Sequence, residues 1–228
     1  MENEVRVLST LALMGAVRSL AGRCEAELGT RIDADFAPTL ALLERLSSGE
    51  EADIVIVTRQ ALDDLIGAGI VAADSRTDLA RSLVGMAVKA GADHPDIATD
   101  AALRATLLGA RSVAYSRIGA SGIFFAQLIE RMGIASEVNV RARIIPSGLT
   151  AELLVTGEAE LAVQQLSELK LVPGTAIVGP IPLQLQSPMV FSAGRLTASS
   201  RVARCDRVLQ YLASPAVAPV LREAGLEP

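Results

Sequence analysis

The sequence predicts an α/β protein with two open, mainly parallel sheets, and three observations support this fold class. Predicted strands and helices alternate along most of the 228 residues, the order that produces parallel sheets covered by helices on both faces. Residues 53–58 (D-I-V-I-V-T) form a β-branched run typical of a strand buried on both faces. Half of the residues are hydrophobic but only 3% are aromatic, so we expect an aliphatic core.

The predicted elements follow from hydrophobic periodicity and from Gly, Pro and Ser breaks. The predicted strands cover residues 5–9, 31–36, 53–58, 82–89, 112–116, 139–145, 160–165 and 186–193. The predicted helices cover residues 11–28, 39–46, 60–66, 99–108, 122–132, 150–155, 200–212 and 216–224. Four prolines between residues 173 and 188 predict an irregular segment.

This order fits two lobes, of which the second is inserted into the first. We predict that residues 1–80 and 189–228 form the first lobe and that residues 81–188 form the second, with a cleft between them. A chain of 228 residues is long enough to bury such cores.

Composition excludes several classes of function. Lys and Arg total 21 against 26 Asp and Glu, a net charge of -5, which argues against a nucleic-acid partner. The only histidine is His94, and Cys24 and Cys205 are far apart, so we expect no metal site and two thiols rather than a disulfide. No GxSxG, GxxxxGK[ST] or strand-linked GxGxxG motif is present, and we expect no cofactor.

The sequence gives no sign of membrane insertion. No segment reaches the roughly 18 apolar residues that a spanning helix needs. The acidic start, residues 1–4, and the strand that follows lack the basic and apolar regions of a signal peptide. We therefore expect a cytoplasmic protein, or a periplasmic one if a leader was removed, and no membrane transporter as an obvious partner.

Hydroxyl side chains recur where predicted strands end, which is where open α/β sheets bind ligands. Ser9 and Thr10 follow the first strand, Thr39 opens the second helix, Ser116 ends a strand, and Ser121-Gly122 opens a helix. Such residues either cap the helix, which contributes about 1 kcal/mol, or join free N–H groups in binding an anion. Glycine at position 122 would let a ligand approach the backbone.

Three arginines border the same strand ends. Arg59 follows the third strand, Arg81 precedes Ser82 at the predicted lobe crossing, and Arg117 follows Ser116. A guanidinium binds a carboxylate through two parallel hydrogen bonds. The alternative for each is a solvated surface arginine or an ion pair with a nearby acid.

The segment from Gln164 to Glu168 brings two amides, a hydroxyl and an acid to the end of one strand. Gln164, Gln165 and Ser167 are candidate ligand contacts. Glu168 is a candidate proton acceptor if burial raises its pKa. The alternative is a polar turn in which Ser167 caps a helix.

Several short motifs occur in an order that resembles the periplasmic molybdate-binding protein family. They are residues 49–56 (G-E-E-A-D-I-V-I), Ser121-Gly122, residues 155–161 (V-T-G-E-A-E-L), and the tail segments 212–215 and 225–228. The resemblance covers nearly the whole chain. It implies a two-lobed periplasmic-binding-protein type II fold with an interlobe cleft.

The resemblance also implies that strand-end hydroxyls and backbone N–H groups hold an oxyanion. By position, these donors are Ser9, Thr10, Thr39, Ser121 and the turn at residues 164–167. This chain differs from the family by its three arginines and by a Gln-Leu-Ser-Glu segment where the family carries a tyrosine and an acid. These differences favour an organic carboxylate over molybdate.

Two hypotheses follow for function. The first is a solute-binding protein that holds a small organic carboxylate or oxyanion in the cleft. The second is a cofactor-independent isomerase or tautomerase for a di- or tricarboxylate, because a branch of the same family resembles aconitate isomerase. In that case the arginines would hold carboxylates and Glu168 would move a proton.

Overall fold

The computed structural model describes residues 3–228. Met1 and Glu2, which begin the acidic segment discussed above, lie outside the described residues. The chain divides into two compact units: the first extends to Ser82 and resumes at Met189–Pro228, and the second is Leu83–Pro188.

Within residues 3–228, ten strands form two five-stranded sheets. The strands are β1 (Glu4–Thr10), β2 (Arg31–Ala37), β3 (Ile54–Thr58), β4 (Thr77–Ser82), β5 (Val84–Lys89), β6 (Val113–Ser116), β7 (Ala142–Ile145), β8 (Leu161–Gln165), β9 (Thr175–Pro180) and β10 (Met189–Arg195).

The same residues contain ten α-helices. They are α1 (Met14–Leu28), α2 (Thr39–Ser47), α3 (Arg59–Gly67), α4 (Asp100–Gly109), α5 (Ala120–Arg131), α6 (Ala135–Val140), α7 (Glu152–Thr156), α8 (Leu166–Leu169), α9 (Val202–Leu212) and α10 (Ala218–Glu223). Short 3-10 helices precede α1 at Leu11–Leu13 and α10 at Pro215–Val217, and a third is Ala73–Ser75.

The two sheets share one topology. In the first unit the strand order is β2-β1-β3-β10-β4, and in the second it is β7-β6-β8-β5-β9. The first three strands of each are parallel, whereas β10 and β5 run antiparallel to both of their neighbours. Four strands of each sheet therefore point the same way. The predicted α/β class is confirmed, with mixed sheets in which one strand is reversed.

The first sheet is covered by helices on both faces because its buried residues alternate. Val7 and Ile56 belong to one core cluster, with side chains of α1 and α9, while Leu8 and Val57 belong to another, with side chains of α2 and α3. Successive side chains of a strand point to opposite faces, so both faces of β1 and β3 must be apolar.

The two cysteines lie in the same cluster as Val7. Cys24 and Cys205 are both buried and both free thiols, as expected. Burial raises the pKa of Cys24 to about 11, and the carboxylates of Glu27 and Glu25 add to this shift. Cys24 is therefore uncharged at neutral pH and acts as a small apolar residue.

Tyr115 belongs to the core of the second unit. It is completely buried on β6, and its ring packs edge-to-face on Phe125 of α5 with centroids 5.0 Å apart. Its hydroxyl donates to Oδ1 of Asn139 at 2.5 Å. The buried hydroxyl therefore has its partner inside the unit.

The structure corrects three predicted elements. Residues 139–145 were predicted as one strand, but Asn139 and Val140 end α6 and only Ala142–Ile145 is extended. The predicted strand 82–89 is two strands, since β4 ends at Ser82 in one sheet and β5 begins at Val84 in the other. The predicted irregular segment contains β9, an edge strand that ends at Pro180, where a missing N–H is tolerated.

Candidate functional site

The strands β1, β2, β3 and β4 of the first unit end at one edge of the sheet, which we call the first carboxyl edge. Parallel register places Thr10 beside Ala37 and Ser9 beside Ile56. Strand β4 points the same way, so Ser82 also lies at this edge. The edge therefore brings Ser9, Thr10 and Ser82 to one side of the unit. Thr10 and Ser82 lie on strands three places apart in the sheet order, and the register sets Ser82 further along its strand than Thr10, which is level with Asp78.

Two hydroxyls at the first carboxyl edge are buried without a hydrogen-bond partner within residues 3–228. They are Thr10 Oγ1 and Ser82 Oγ, on residues 4% and 3% exposed. Ser9, in contrast, donates its hydroxyl to the Thr10 carbonyl at 3.0 Å. A buried hydroxyl without a partner costs about 1–3 kcal/mol, so Thr10 and Ser82 are well suited to donate to a ligand.

The helix starts at this edge differ in their capping. The Thr10 side chain does not cap the 3-10 helix that it precedes, and α2, which begins with Thr39, has no side-chain cap on Pro38. Thr58 does cap α3, because its hydroxyl accepts from Ala61 N at 3.4 Å. The capping alternative therefore fails at Thr10, and N–H groups at the uncapped starts remain available to an anion.

Arg59 is engaged within its own unit. Its guanidinium forms an ion pair with Asp78, and Asp78 also accepts from the Ser192 hydroxyl at 2.6 Å. Burial alone would raise the pKa of Asp78, but the Ser192 hydrogen bond and Arg59 together bring that pKa below its usual value. Of the two roles predicted for Arg59, the structure therefore shows the ion pair with a nearby acid and not an unpaired guanidinium free for a ligand.

The other two arginines are exposed at strand ends. Arg81 ties the C-terminal tail to β4 through its backbone, since its N–H donates to the Glu227 carbonyl at 2.6 Å and its carbonyl accepts from Glu227 N at 2.8 Å. Arg117 follows β6, and its Nη2 lies 3.5 Å from Asn139 Oδ1. Both guanidiniums remain candidate carboxylate contacts.

The strands β6, β7, β8 and β9 of the second unit end at an equivalent edge, the second carboxyl edge. The Ser116 hydroxyl accepts from the N–H groups of Ile118 and Gly119, both at 3.3 Å. Helix α5 starts next to it without a side-chain cap, with Ser121 buried in its first turn. This start of a 12-residue helix therefore offers free N–H groups.

Gly122 has a packing role at this helix start. The Ser116 carbonyl occupies the place that a Cβ on residue 122 would take. Glycine therefore lets α5 approach the end of β6, whereas the sequence had pointed to close approach of a ligand.

Strand β8 ends next to β6, about 4.8 Å away, and delivers Gln165, Ser167 and Glu168. Gln165 and Glu168 form a reciprocal capping box at the start of α8, in which Gln165 N donates to Glu168 Oε2 at 2.9 Å. Ser167, predicted as the alternative cap, is 2% exposed, and its hydroxyl has no partner within the described residues. Ser167 therefore joins Thr10 and Ser82 as a buried, unsatisfied donor.

Gln164 points into the interior of the second unit. Its Oε1 accepts from Thr150 N at 2.8 Å and from Thr150 Oγ1 at 3.0 Å, and its Nε2 donates to the Gly148 carbonyl at 3.2 Å. Both ends of the Gln164 amide therefore hydrogen-bond groups of the protein itself, and not a ligand as predicted. Thr150, which is completely buried, was not among the predicted site residues; its signal in the sequence was only that a threonine opens a predicted helix.

Glu168 is buried, and few interactions offset the cost of burying its carboxylate charge. Only 6% of the residue is exposed. Burial raises the pKa of Glu168 to about 7, opposed by hydrogen bonds from the Gln165 backbone and the Gln164 side chain. A carboxyl group with this pKa exchanges protons readily at neutral pH.

A polar pocket of about 680 Å³ lies at the opposite edge of the first sheet. Its charges are largely paired: the buried Asp53 accepts from Ser199 at 2.6 Å and from Arg201 at 3.0 Å, and Arg6 pairs with Glu50 at 2.6 Å. The contacts of Ser199 and Arg201 with Asp53 hold the loop that follows β10 against the start of β3. The carboxyl edges, where donors are unsatisfied, are the better candidate site.

Residues 3–228 contain neither a cluster of metal-ligating side chains nor a membrane-spanning helix. No group of three or more His, Cys, Asp or Glu side chains is placed to hold a metal ion. No helix in that range is long and apolar enough to cross a membrane.

Comparison with solved structures shows the fold. The periplasmic molybdate-binding protein of Azotobacter vinelandii superposes with a TM-score of 0.83 at 17% identity, covering 98% of this chain and 99% of its own. A sulfate-binding protein of Mycobacterium tuberculosis gives 0.75 at 13% identity, covering 99% and 87%. A periplasmic thiamin-binding protein gives 0.77 at 14% identity, covering 99% and 83%.

Comparison of sequences shows, in addition to the fold, the family to which the chain belongs. The family model for the bacterial extracellular solute-binding protein matches residues 5–227. An aconitate isomerase from Pseudomonas is 40% identical over 97% of this chain and 87% of its own length. The resemblance to molybdate-binding proteins, with a branch like aconitate isomerase, is confirmed. This chain belongs to the bacterial extracellular solute-binding protein family.

Proposed function

We propose that this protein binds a small organic carboxylate and that hydroxyls at the carboxyl ends of its strands are donors to it. The observation that supports this best is the position of three buried hydroxyls that have no hydrogen-bond partner within residues 3–228. Thr10 and Ser82 lie at the first carboxyl edge and Ser167 lies at the second. A fold retains unsatisfied buried donors at a stability cost, and a ligand that accepts from them removes it.

The electrostatics of these edges favour an anion. The 3-10 helix after Thr10, helix α2 and helix α5 begin without side-chain caps. Uncapped N–H groups and the positive end of the helix dipole attract negative charge. The exposed Arg81 and Arg117 add guanidiniums, which suit the planar geometry of a carboxylate.

Among anions, the sequence relative points to a tricarboxylate. A protein 40% identical to this chain is an aconitate isomerase. The molybdate- and sulfate-binding proteins share the fold at 17% and 13% identity, so they support anion binding in general but not a particular ligand.

The test is a calorimetric and thermal-shift titration with cis-aconitate, trans-aconitate, citrate, molybdate and sulfate. Aconitate at a hundredfold its Kd should stabilise the fold by about 2.7 kcal/mol. Ser167→Ala should weaken aconitate binding roughly tenfold or more, because it removes a hydrogen bond to a charged group. Tyr211→Phe is the matched control, since the buried Tyr211 hydroxyl also has no partner among the described residues but lies on α9. Binding of molybdate or sulfate in preference to every carboxylate would contradict the proposal.

A second candidate function is isomerisation of the bound carboxylate, and Glu168 favours it. The Glu168 carboxylate would take a proton from a carbon next to the double bond, and the C–H electron pair would form the new C=C bond. Glu168, whose carboxyl proton exchanges with water, would then deliver a proton to the far carbon of the former double bond. The step moves one proton and no net electrons, so a base is sufficient.

Proton NMR in deuterated water separates binding from isomerisation. Interconversion of cis- and trans-aconitate, with deuterium entering carbon-bound positions, would establish catalysis, and Glu168→Gln should reduce the rate by a hundredfold or more. An unchanged ligand at full occupancy would leave the binding function alone. Unaltered turnover in Glu168→Gln would exclude Glu168 as the base.

A further inference from the structure

The loop between β7 and α7 crosses the end of β6. Strand β6 lies between β7 and β8 in the sheet, and the register sets Ser116, at the end of β6, beside Ile145, at the end of β7. The chain leaves β7 at Ile145 and reaches β8 at Thr150, whose hydroxyl lies 3.4 Å from the Val163 carbonyl. Two strand spacings, about 10 Å, separate β7 from β8. Residues 146–149, which we call the crossing loop, therefore lie at the second carboxyl edge, where α5 also begins.

The Gln164 amide holds the far end of the crossing loop. Its Oε1 accepts from the N–H and the hydroxyl of Thr150 at 2.8 and 3.0 Å, and its Nε2 donates to the Gly148 carbonyl at 3.2 Å. Gln164 is 3% exposed and Thr150 is completely buried, so water does not compete for these bonds. A flipped amide would set its NH₂ group against the Thr150 N–H, a contact between two donors. Thr150 therefore fixes the orientation of the amide that binds the Gly148 carbonyl.

These bonds determine where the N–H groups of the crossing loop point. In a planar trans peptide the C=O and the following N–H point in opposite directions. Because the Gly148 carbonyl is turned towards Gln164, the Leu149 N–H is turned away from it. The N–H groups of Ser147, Gly148 and Leu149 make no backbone hydrogen bond within residues 3–228. Gly148 has a φ of +87°, and turns of this kind bring successive N–H groups together as a site for anions.

We propose that Gln164 and Thr150 are positioning residues, which hold the crossing loop so that its N–H groups donate to a carboxylate bound at the second carboxyl edge. This inference rests on the proposed function, because the loop needs a ligand as the acceptor. It assigns to the Gln164 amide a role that packing alone does not require, since an apolar side chain of equal volume would fill the same space. Such a side chain would release the Gly148 carbonyl and leave the loop free to turn.

The first measurement uses the ligand-free protein. Nitrogen-15 relaxation of the Ser147, Gly148 and Leu149 amides reports their motion on the picosecond-to-nanosecond timescale. The wild-type amides should be as rigid as a helix, with order parameters of about 0.85, and Gln164→Met should lower these to about 0.6 or less. Thr150→Val loses the hydroxyl but keeps the N–H, so it should increase the motion to a smaller extent. Thr150→Ser keeps both donors and should leave the loop rigid.

The second measurement is affinity. Isothermal titration calorimetry with cis-aconitate, trans-aconitate and citrate, well below the melting temperature, identifies the ligand that binds most tightly. Gln164→Met should weaken its binding about tenfold, because binding must then order the loop, and Thr150→Ser should keep the wild-type affinity. Tyr115→Phe is the matched control. It removes the hydrogen bond of another buried side chain in the second unit but no contact of the crossing loop, so affinity should not change.

The outcomes separate this inference from the proposed function. Loop amides that stay rigid in a folded Gln164→Met variant, or in Thr150→Val if Gln164→Met does not fold, would overturn the positioning role. A mobile loop combined with wild-type affinity would overturn it as well, because the loop would then make no contact with the ligand. Both results leave carboxylate binding in place. A wild-type protein that binds none of the three carboxylates would instead refute the proposed function, and this inference with it.

Discussion

The carbonyl oxygen of Ser116 occupies the space that a Cβ atom on Gly122 would need. Ser116 ends β6 and Gly122 lies in the first turn of α5. The helix therefore starts directly against the strand end, and its free N–H groups lie at the second carboxyl edge.

Gly122→Ala should destabilise the protein by about 3 kcal/mol or more, because the methyl group overlaps backbone that cannot move without separating α5 from β6. Urea unfolding followed by circular dichroism measures this loss. Gly22→Ala is the control: Gly22 lies exposed within α1 with no atom within 4 Å of the added methyl. It should stabilise the protein by about 0.5–1 kcal/mol. Equal effects of the two substitutions would contradict the packing role.

Thr10→Val should separate stability from binding. Valine has nearly the shape of threonine and removes a buried hydroxyl that has no partner among the described residues, so the folding free energy should stay the same or rise. Aconitate affinity should fall roughly tenfold or more. Thr150→Val is the comparison for folding, since Thr150 Oγ1 hydrogen-bonds Gln164 and its loss should destabilise the protein by about 1 kcal/mol. Full affinity in Thr10→Val would remove Thr10 from the site.

The raised pKa of Glu168 should make the stability of the protein depend on pH. Its pKa is about 7 in the folded protein, against an ordinary value of 4.5 for a glutamate side chain. Between these values the folded protein keeps a proton that the unfolded chain releases, so its contribution to stability is complete below pH 4.5 and is lost as the pH rises through 7. Glu168→Gln should remove this dependence and be more stable than the wild type at pH 8, by up to about 3 kcal/mol. Parallel stability curves for the two proteins from pH 5 to 8 would show that Glu168 is ionised throughout.

The C-terminal tail should contribute measurably to the first unit. Leu226 is 3% exposed, and Glu227 makes two backbone hydrogen bonds with Arg81. Deleting residues 225–228 should cost about 2–4 kcal/mol through lost apolar burial and main-chain pairing. Deleting the exposed Pro228 alone is the control and should leave the melting temperature within a degree or two. Equal melting temperatures for both truncations would show that the tail is not docked in solution.

The order of strands and helices was predictable because most elements bury a regular face. The alternation in β1 and β3 and the helical periodicity of α1 and α9 carry that signal. Predictions failed where local preference and tertiary pairing disagree. Asn139 and Val140 come just before the extended residues 142–145 but end a helix, where Asn139 Oδ1 accepts from the Tyr115 hydroxyl. The prolines between residues 173 and 188 predicted an irregular segment, but β9 lies within it. An edge strand can contain Pro180 because the missing N–H is not needed for pairing there.

The candidate site was predictable in part. Hydroxyls at strand ends directed attention to Thr10, Ser82 and Ser167, and all three are buried with no partner in the part of the chain that the structure describes. The sequence had no means to separate Arg59, which pairs with Asp78, from an arginine available to a ligand. The hydrogen bond between Gln164 and Thr150 was also not predictable, because the two residues are 14 positions apart along the chain.

The most direct test of carboxylate binding at the carboxyl edges is a backbone amide NMR titration with cis-aconitate. We predict saturable shifts concentrated at residues 9–12, 118–122 and 165–168, which surround Thr10, Ser121 and Ser167. The amides around Asp53 and Arg201, in the polar pocket at the opposite edge of the first sheet, should remain unchanged. Saturable shifts confined to that pocket, or no shifts at millimolar ligand, would contradict this account.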